Sequence, residues 1–115
     1  MAEKQQALGV IDKHRLELEA LSDAIWEHPQ VGYQETYAAN AFCRFLGKSG
    51  FQVEQNLAGI PTAFCASYGS GAPVIGLLGE FDALPGMSQK ANCFQKSAVE
   101  EDAPGHGCGH NLLRR

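Results

Sequence analysis

The sequence predicts an α/β fold in which two helices are followed by three strands and a long loop. Three observations lead to this prediction. Apolar residues recur at helical spacing up to residue 48, apolar and polar residues alternate after Gly50, and an almost wholly apolar run follows at residues 74–78. Such a run is typical of a strand buried on both faces, which needs helices above and below it. We therefore expect an α/β layer that is incomplete within these residues.

The composition restricts the class of protein. The chain has 115 residues, which suits one small domain, and its formal net charge is −4. This mild acidity argues against nucleic-acid binding, which needs a basic surface. No apolar run approaches the ~20 residues that span a bilayer, so we expect no membrane association. The charged N-terminus lacks the apolar core of a signal peptide, which predicts a cytoplasmic protein.

Two helices are predicted in the first half of the chain. The first spans residues 3–27, where apolar residues lie on one face at steps of seven, three and four, namely Ile11, Leu18, Leu21 and Ile25. Pro29 cannot continue this helix. The second spans about 35–48, and its apolar stripe consists of Ala38, Ala41, Phe42, Phe45 and Leu46. Gly50 follows as the left-handed residue that ends it.

Three strands are predicted next. Residues 51–56 alternate apolar and polar side chains, as a half-buried strand does, and residues 62–68 form the second candidate. Residues 74–78 give the third strand, which is expected to be buried. Residues 87–104 are polar with little periodicity and are predicted to form a loop.

The chain contains four cysteines, so a disulfide framework has to be considered, but the absence of a secretion signal favours free thiols. Cys43 and Cys65 lie in apolar, helix-like and strand-like surroundings, and we expect both to be buried and unreactive. Cys93 lies in a polar stretch and is assigned no role. Cys108 differs from the other three because of its glycine and histidine neighbours.

The stretch PGHGCGHNLL at residues 104–113 contains two side chains that bind metals well. The Cys108 thiolate and the His110 imidazole are both good ligands for zinc and similar divalent ions. Gly109 between them lets the backbone turn tightly, so both side chains can converge on one ion. The alternative is a glycine-rich loop with incidental polar residues, and the spacing alone leaves both interpretations open.

A second candidate site is the stretch GEFDALP at the end of the apolar run. Glu80 and Asp82 are two residues apart, so on a strand they share a face. Ligands commonly bind at strand ends in α/β sheets, where a carboxylate can bind a metal or orient a histidine that does. The alternative is a pair of solvated acids at the start of a turn.

Three motifs occur in a fixed order along the chain: EHPQVGYQE at 27–35, GEFDALPG at 79–86 and GHGCGHNLL at 105–113. Together they resemble the N-terminal part of the aminoacylase and carboxypeptidase-like metallohydrolases. The resemblance implies that residues 1–115 are the N-terminal portion of a zinc-peptidase-like α/β/α catalytic domain, truncated in this chain. Relatives continue with small residues where this chain has Arg114 and Arg115.

The resemblance also implies a site that holds two divalent ions, zinc or manganese, when complete. Cys108 and His110 match the family's metal ligands, and Asp82 matches an aspartate that orients a ligand or shapes the site without binding metal. His106 matches a histidine of the same loop that is usually not a ligand. His106, Glu80 and Asn111 are candidate supporting residues, and Asn111 stands where hippurate-hydrolase-like relatives usually carry Asp.

The first motif is expected to be mainly structural. His28 and Glu35 match its HPE…E signature. Gln30 stands where the family usually has Glu, so no role is assigned to it.

The implied activity is hydrolysis of the amide bond of N-acyl amino acids or small dipeptide-like substrates such as p-aminobenzoyl-glutamate. Two cations would activate a bridging water, and a glutamate would move its proton. In the family that glutamate and further metal-binding histidines lie downstream of the residues present here. We therefore expect this fragment to be inactive alone. The resemblance further implies that the full-length protein forms a homo- or hetero-oligomer.

A different class of function is a small non-catalytic protein that binds a metal or a partner. It would use the loop that carries Cys108 and His110, or the apolar helix face. A cysteine nucleophile ranks third, because the sequence places no base and acid to orient Cys108.

Overall fold

The computed structural model describes residues 1–112, so Leu113 of the third motif and the Arg114–Arg115 pair lie outside the described residues. Within them the fold is a mixed α/β arrangement of three helices and a two-stranded antiparallel sheet. Its elements are α1 (Ala2–Lys13), α2 (Arg15–Glu27), α3 (Thr36–Lys48), β1 (Gln52–Gln55) and β2 (Phe64–Ser67). Two short 3-10 turns cover Leu57–Gly59 and His110–Leu112. Between residues 1 and 112 there is no helix of the length and apolar character that a membrane crossing requires.

The prediction of one helix over residues 3–27 is wrong at its middle. Helix α1 ends and α2 begins around His14, which lies between them with φ −100° and ψ 11°. No residue of α1 is buried, and Ile11 is exposed, whereas Ile25 of α2 is fully buried. The apolar spacing identifies the helix face, but its burial depends on the elements that pack against it. Only the C-terminal half of the predicted helix, α2, contains a buried residue.

The predicted second helix is confirmed as α3. Its first turn is capped from outside the helix, because the backbone N–H of Tyr37 donates to the side-chain oxygen of Gln30 at 2.7 Å. The His28 ring stacks on the Tyr37 ring, with centroids 3.8 Å apart. At the other end Gly50 has φ +90°, the left-handed conformation that glycine adopts without strain. The predicted stop at Gly50 is therefore confirmed.

The core lies where α2, α3 and β2 meet. Ile25, Ala38 and Phe42 form its buried centre, and Leu21, Phe64 and Phe81 pack against them. The rings of Phe42 and Phe81 are 5.4 Å apart, and those of Phe64 and Phe81 are 6.0 Å apart. Aromatic pairs at these separations contribute beyond the area that they bury. The core therefore fixes the segment around Phe81 to the helices.

The two predicted strands at 51–56 and 62–68 are confirmed as the hairpin of β1 and β2, in which Val53 lies opposite Ala66. Successive residues of β2 alternate between half-buried and exposed, and Cys65 is one of the exposed ones. The expectation that Cys65 is buried is therefore wrong. Cys43 of α3 is buried as expected, and burial raises the pKa of its thiol. All four cysteines are free.

The predicted third strand is wrong. Residues 74–78 form no paired strand, and Val74, Ile75, Leu77 and Leu78 are between 82% and 95% exposed. A strand forms by pairing with a neighbour. Nothing within residues 1–112 pairs with this segment, and an apolar run cannot supply that partner by itself.

The predicted loop at 87–104 contains neither helix nor strand, as expected. It is nevertheless ordered by hydrogen bonds across it. The Ser88 N–H donates to Ala103 O at 3.0 Å, and the Lys90 N–H donates to Ser97 O at 2.8 Å. The loop therefore returns the chain to the start of the third motif.

Candidate metal centre

Backbone hydrogen bonds bring the three sequence motifs together. The Ala83 N–H donates to Gln30 O at 2.8 Å, next to a parallel bridge between Val31 and Ala83. Leu84 and Gly105 exchange two hydrogen bonds, of 2.9 and 3.0 Å, in an antiparallel bridge. The second motif is thus held between the first and the third.

Phe81 determines where the two acids of the second motif point. Its ring packs into the aromatic core, and Glu80 and Asp82 flank it on either side. Side chains of neighbouring residues in extended backbone point in opposite directions. The carboxylates of Glu80 and Asp82 both lie close to His110, so the two acids share a side, as the sequence predicts, although no strand forms here.

Glu80, Asp82 and His110 form the group that could hold a metal ion, with ligand atoms all within 4.8 Å of one another. The His110 Nδ1 atom lies 2.7 Å from Asp82 Oδ1 and 3.1 Å from Asp82 O. Its Nε2 atom lies 3.4 Å from Glu80 Oε2. The side chains are 16% exposed for His110, 34% for Asp82 and 61% for Glu80. The group is thus open to solvent on the Glu80 side.

The third motif reaches this group through a tight turn. Gly109 has φ +73°, and its N–H donates to His106 O at 3.0 Å. A 3-10 turn over His110–Leu112 follows and buries the Asn111 side chain. The Asn111 Nδ2 atom donates to Ser22 Oγ of α2 at 3.2 Å. Gly109 therefore makes the predicted tight turn, which brings His110 but not Cys108 into the group.

Cys108 is not a member of this group. It is exposed, and the group of Glu80, Asp82 and His110 does not include its thiol. The structure thus brings together three of the predicted site residues, with Asn111 next to them, and leaves the Cys108 thiol outside that group.

His106 is a half-buried histidine of the loop. Both of its ring nitrogens are buried. Burial is the main cause that lowers the pKa of His106, and the neighbouring His110 lowers it further. The backbone of Ile25 and the Asp82 carboxylate act in the opposite direction. The net effect lowers the pKa of His106 and so favours its neutral imidazole.

Sequence reasoning missed three residues that build the site: Gln30, Phe81 and Ser22. Phe81 had a signal, because an aromatic residue between two acids predicts one buried and two exposed side chains. Gln30 and Ser22 had none. Ser22 lies 89 positions from its partner Asn111 along the chain, and no local pattern encodes such a contact.

Comparison with known proteins gives three relatives, although no family model matches the chain. The chain is 47% identical over 103 residues to a subunit of the p-aminobenzoyl-glutamate hydrolase of Escherichia coli K12, a match that covers 90% of this chain and 21% of that protein. It is 32% identical over 121 residues to the Xaa-Arg dipeptidase of Mus musculus and 30% identical over 124 residues to that of Homo sapiens. Each of these two matches covers 96% of this chain and 24% of the relative. The chain thus spans less than a quarter of the length of these relatives, and over that span it belongs to the aminoacylase and carboxypeptidase-like family of hydrolases.

Proposed function

We propose that this chain supplies part of the active site of a metal-dependent amidohydrolase, whose substrates are N-acyl amino acids or small peptides. The names of the relatives support the substrate class. A p-aminobenzoyl-glutamate hydrolase and an Xaa-Arg dipeptidase both act on small molecules in which an amide bond joins an acyl group to an amino acid. The bacterial relative is named as one subunit of its hydrolase, which supports a partner subunit of a second kind.

The observation that carries the proposal is the placement of His110 between two carboxylates. An ionised carboxylate can only accept hydrogen bonds, and so can a carbonyl oxygen, so the Nδ1 atom that faces Asp82 Oδ1 and Asp82 O carries the proton. With Nδ1 as the donor to Asp82, Nε2 on the side of Glu80 is the nitrogen that would give its lone pair to a cation, which would replace the proton that otherwise faces Glu80 Oε2. A carboxylate that holds the far nitrogen of a metal-binding histidine is a common arrangement in metal sites.

The spacing of Nε2 and Glu80 suits a shared cation. Two ligands each about 2.1 Å from a tetrahedral zinc ion lie roughly 3.4 Å apart. The His110 Nε2 and Glu80 Oε2 atoms are separated by 3.4 Å. The donor set of one imidazole and one carboxylate therefore fits a divalent ion such as zinc or manganese, and the exposed side of Glu80 leaves room for water or substrate.

The residues of the chain then have separate tasks. Asp82 fixes the tautomer and direction of the His110 ring, and His110 and Glu80 hold the ion. Cys108 lies two residues before His110 with glycine on both sides, and we place it as a further ligand that turns inward when the ion binds. The bound ion would polarise an amide carbonyl and make a bound water more acidic. A complete site of two ions needs ligands beyond those described here.

The first test measures zinc and manganese binding to the 115-residue chain by competition with a chromophoric chelator. We expect binding near 1:1 that weakens at least tenfold in His110→Ala, because a ligand is removed. Leu16→Ala, an exposed position of α2, is the matched control. Equal affinity in wild type and His110→Ala would refute the metal site.

The role of Cys108 is tested by alkylation in the same chain. Zinc is expected to slow the labelling of Cys108 severalfold, because a thiolate bound to metal is a poor nucleophile. Cys65 and Cys93 are exposed internal controls whose rates should not change. Equal labelling of Cys108 with and without zinc would remove it from the ligand set.

Activity is tested in a protein of the relatives' full length that carries these residues. It should release p-aminobenzoate from p-aminobenzoyl-glutamate, lose this activity on chelation and regain it with zinc or manganese. Asp82→Asn should lower kcat/KM by about 10- to 100-fold, as loss of an outer partner of a metal ligand does. Hydrolysis that survives complete metal removal would contradict the proposal.

A non-catalytic metal-binding protein is the second candidate. One observation favours it, which is that Glu80, Asp82 and His110 come together within residues 1–112. Tight zinc binding combined with no hydrolysis of any N-acyl amino acid by the longer protein would select this candidate.

A further inference from the structure

We propose that the hydrogen bond between Asn111 and Ser22 holds the His110 imidazole in position against Asp82. The proposal deepens the proposed function, because it concerns the histidine that we assign to the metal. Asn111 and Ser22 act through His110, so they are positioning residues.

The first argument is the burial of the Asn111 amide. Its side chain is 7% exposed, and its Nδ2 atom lies 3.2 Å from Ser22 Oγ and 3.5 Å from Ser22 O. A buried amide that loses its hydrogen-bond partner is left with an unsatisfied donor, which is unfavourable. The turn cannot move away from α2 without that cost, so the contact fixes where Asn111 lies.

The second argument is the geometry of the turn that carries both residues. His110–Leu112 forms a 3-10 turn, and the Leu112 N–H donates to Gly109 O at 2.9 Å. With three residues per turn, successive side chains point about 120° apart. When Asn111 points at α2, the direction of the His110 side chain is therefore set, and that direction is toward Asp82.

The third argument is that the third motif needs an anchoring contact near His110. At its start, Gly105 is held by two backbone hydrogen bonds to Leu84. Gly107 and Gly109 then give the backbone freedom before His110. The hydrogen bond from Asn111 to Ser22 anchors the chain after the last glycine, so it limits how far the His110 imidazole can move.

The test uses the 115-residue chain labelled with ¹⁵N-histidine, with and without zinc. In wild type the Nδ1 proton of His110 should give a downfield, slowly exchanging NMR signal, because it is bound to Asp82. Ser22→Ala should lose or broaden this signal. It should also weaken zinc binding about tenfold, the lower end of the range for losing a residue that supports a metal ligand through a hydrogen bond. Ser22→Thr keeps the hydroxyl and should restore both.

Ser49→Ala is the matched control, because the Ser49 hydroxyl donates to Phe45 O at 2.8 Å at the end of α3, far along the chain from the loop. It deletes a similar hydrogen bond and should leave both measurements unchanged. Asn111→Leu fills the space without a donor and replaces Ser22→Ala if that variant does not fold. It should show the same losses.

The proposal is overturned if Ser22→Ala or Asn111→Leu keeps the wild-type ring-proton signal. It is also overturned if Ser22→Ala changes zinc affinity no more than Ser49→Ala does. If the wild-type chain binds no zinc, the proposed metal site is refuted, and the ring-proton comparison still decides whether Asn111 and Ser22 position His110.

Discussion

At the scale of single residues, Gly105 is the glycine at which an added methyl group would clash most severely with the backbone. A Cβ atom there would overlap the backbone carbonyl of Met87. Gly105 is also the residue that pairs with Leu84 through two backbone hydrogen bonds. The absence of a side chain therefore lets the third motif pass close to the loop at 87–104 on its way to His110.

We predict that Gly105→Ala lowers the free energy of unfolding by about 2 kcal/mol, the middle of the range for overpacking. If Gly105 shifts away from Met87 instead, its bridge to Leu84 is disturbed, so zinc affinity should fall as well. Urea denaturation and chelator competition measure the two effects.

Gly107→Ala is the control for this prediction. Its Cβ atom would meet the terminal methyl of Met87, which is the flexible end of a side chain and can rotate away. The cost should stay well below that of Gly105→Ala. If both variants were equally stable, the close approach of the two backbones at Gly105 would not limit the fold.

At the scale of elements, Gln30 links a helix start to the site. Its side-chain oxygen accepts the Tyr37 N–H at 2.7 Å, its Nε2 donates to Thr36 Oγ1 at 3.2 Å, and its backbone oxygen accepts the Ala83 N–H at 2.8 Å. The first contact caps α3, the second joins the Gln30 amide to the first residue of that helix, and the third holds the residue after Asp82. One residue thus connects the stability of α3 to the placement of the acids.

We predict that Gln30→Ala destabilises the chain by about 1 kcal/mol, the usual cost of losing a helix cap. Gln30→Glu should stay within about 0.5 kcal/mol of wild type, because it keeps the acceptor for Tyr37 and its negative charge suits a helix N-terminus. Gln34→Ala, at an exposed neighbouring position, serves as the control. Urea midpoints that do not differ between Gln30→Ala and Gln34→Ala would refute the cap.

The same elements show what the sequence could predict. Helix α3 and the hairpin were predictable, because a helix satisfies its own backbone and the hairpin pairs strands close in sequence. The meeting of Glu80 and Asp82 on one side was predictable from alternation around Phe81. Three features were not predictable, since each depends on which distant element packs there. They are the division at His14, the exposure of residues 74–78 and the hydrogen bond between Ser22 and Asn111.

At the scale of the whole molecule, the exposed segment at 74–78 is the largest departure from a closed fold. Its four large apolar side chains, Val74, Ile75, Leu77 and Leu78, are almost fully exposed. The segment carries no charge, and its backbone makes no ladder with the hairpin. An uncharged apolar segment with free backbone groups is a template for pairing with another chain.

We therefore predict that the 115-residue chain self-associates at micromolar concentrations and binds a hydrophobic dye such as ANS. Leu77→Lys should reduce both, because a charge within an unpaired strand-like segment opposes edge-to-edge pairing. Leu16→Lys places the same charge at an exposed leucine of α2 and should change neither by much. Sedimentation velocity over a concentration series gives the association. A chain that stays monomeric throughout, with no dye binding, would mean that residues 74–78 are covered in solution. That result would refute the open apolar segment. The site built on Phe81 and His110 would be unaffected, since its contacts involve none of these five residues.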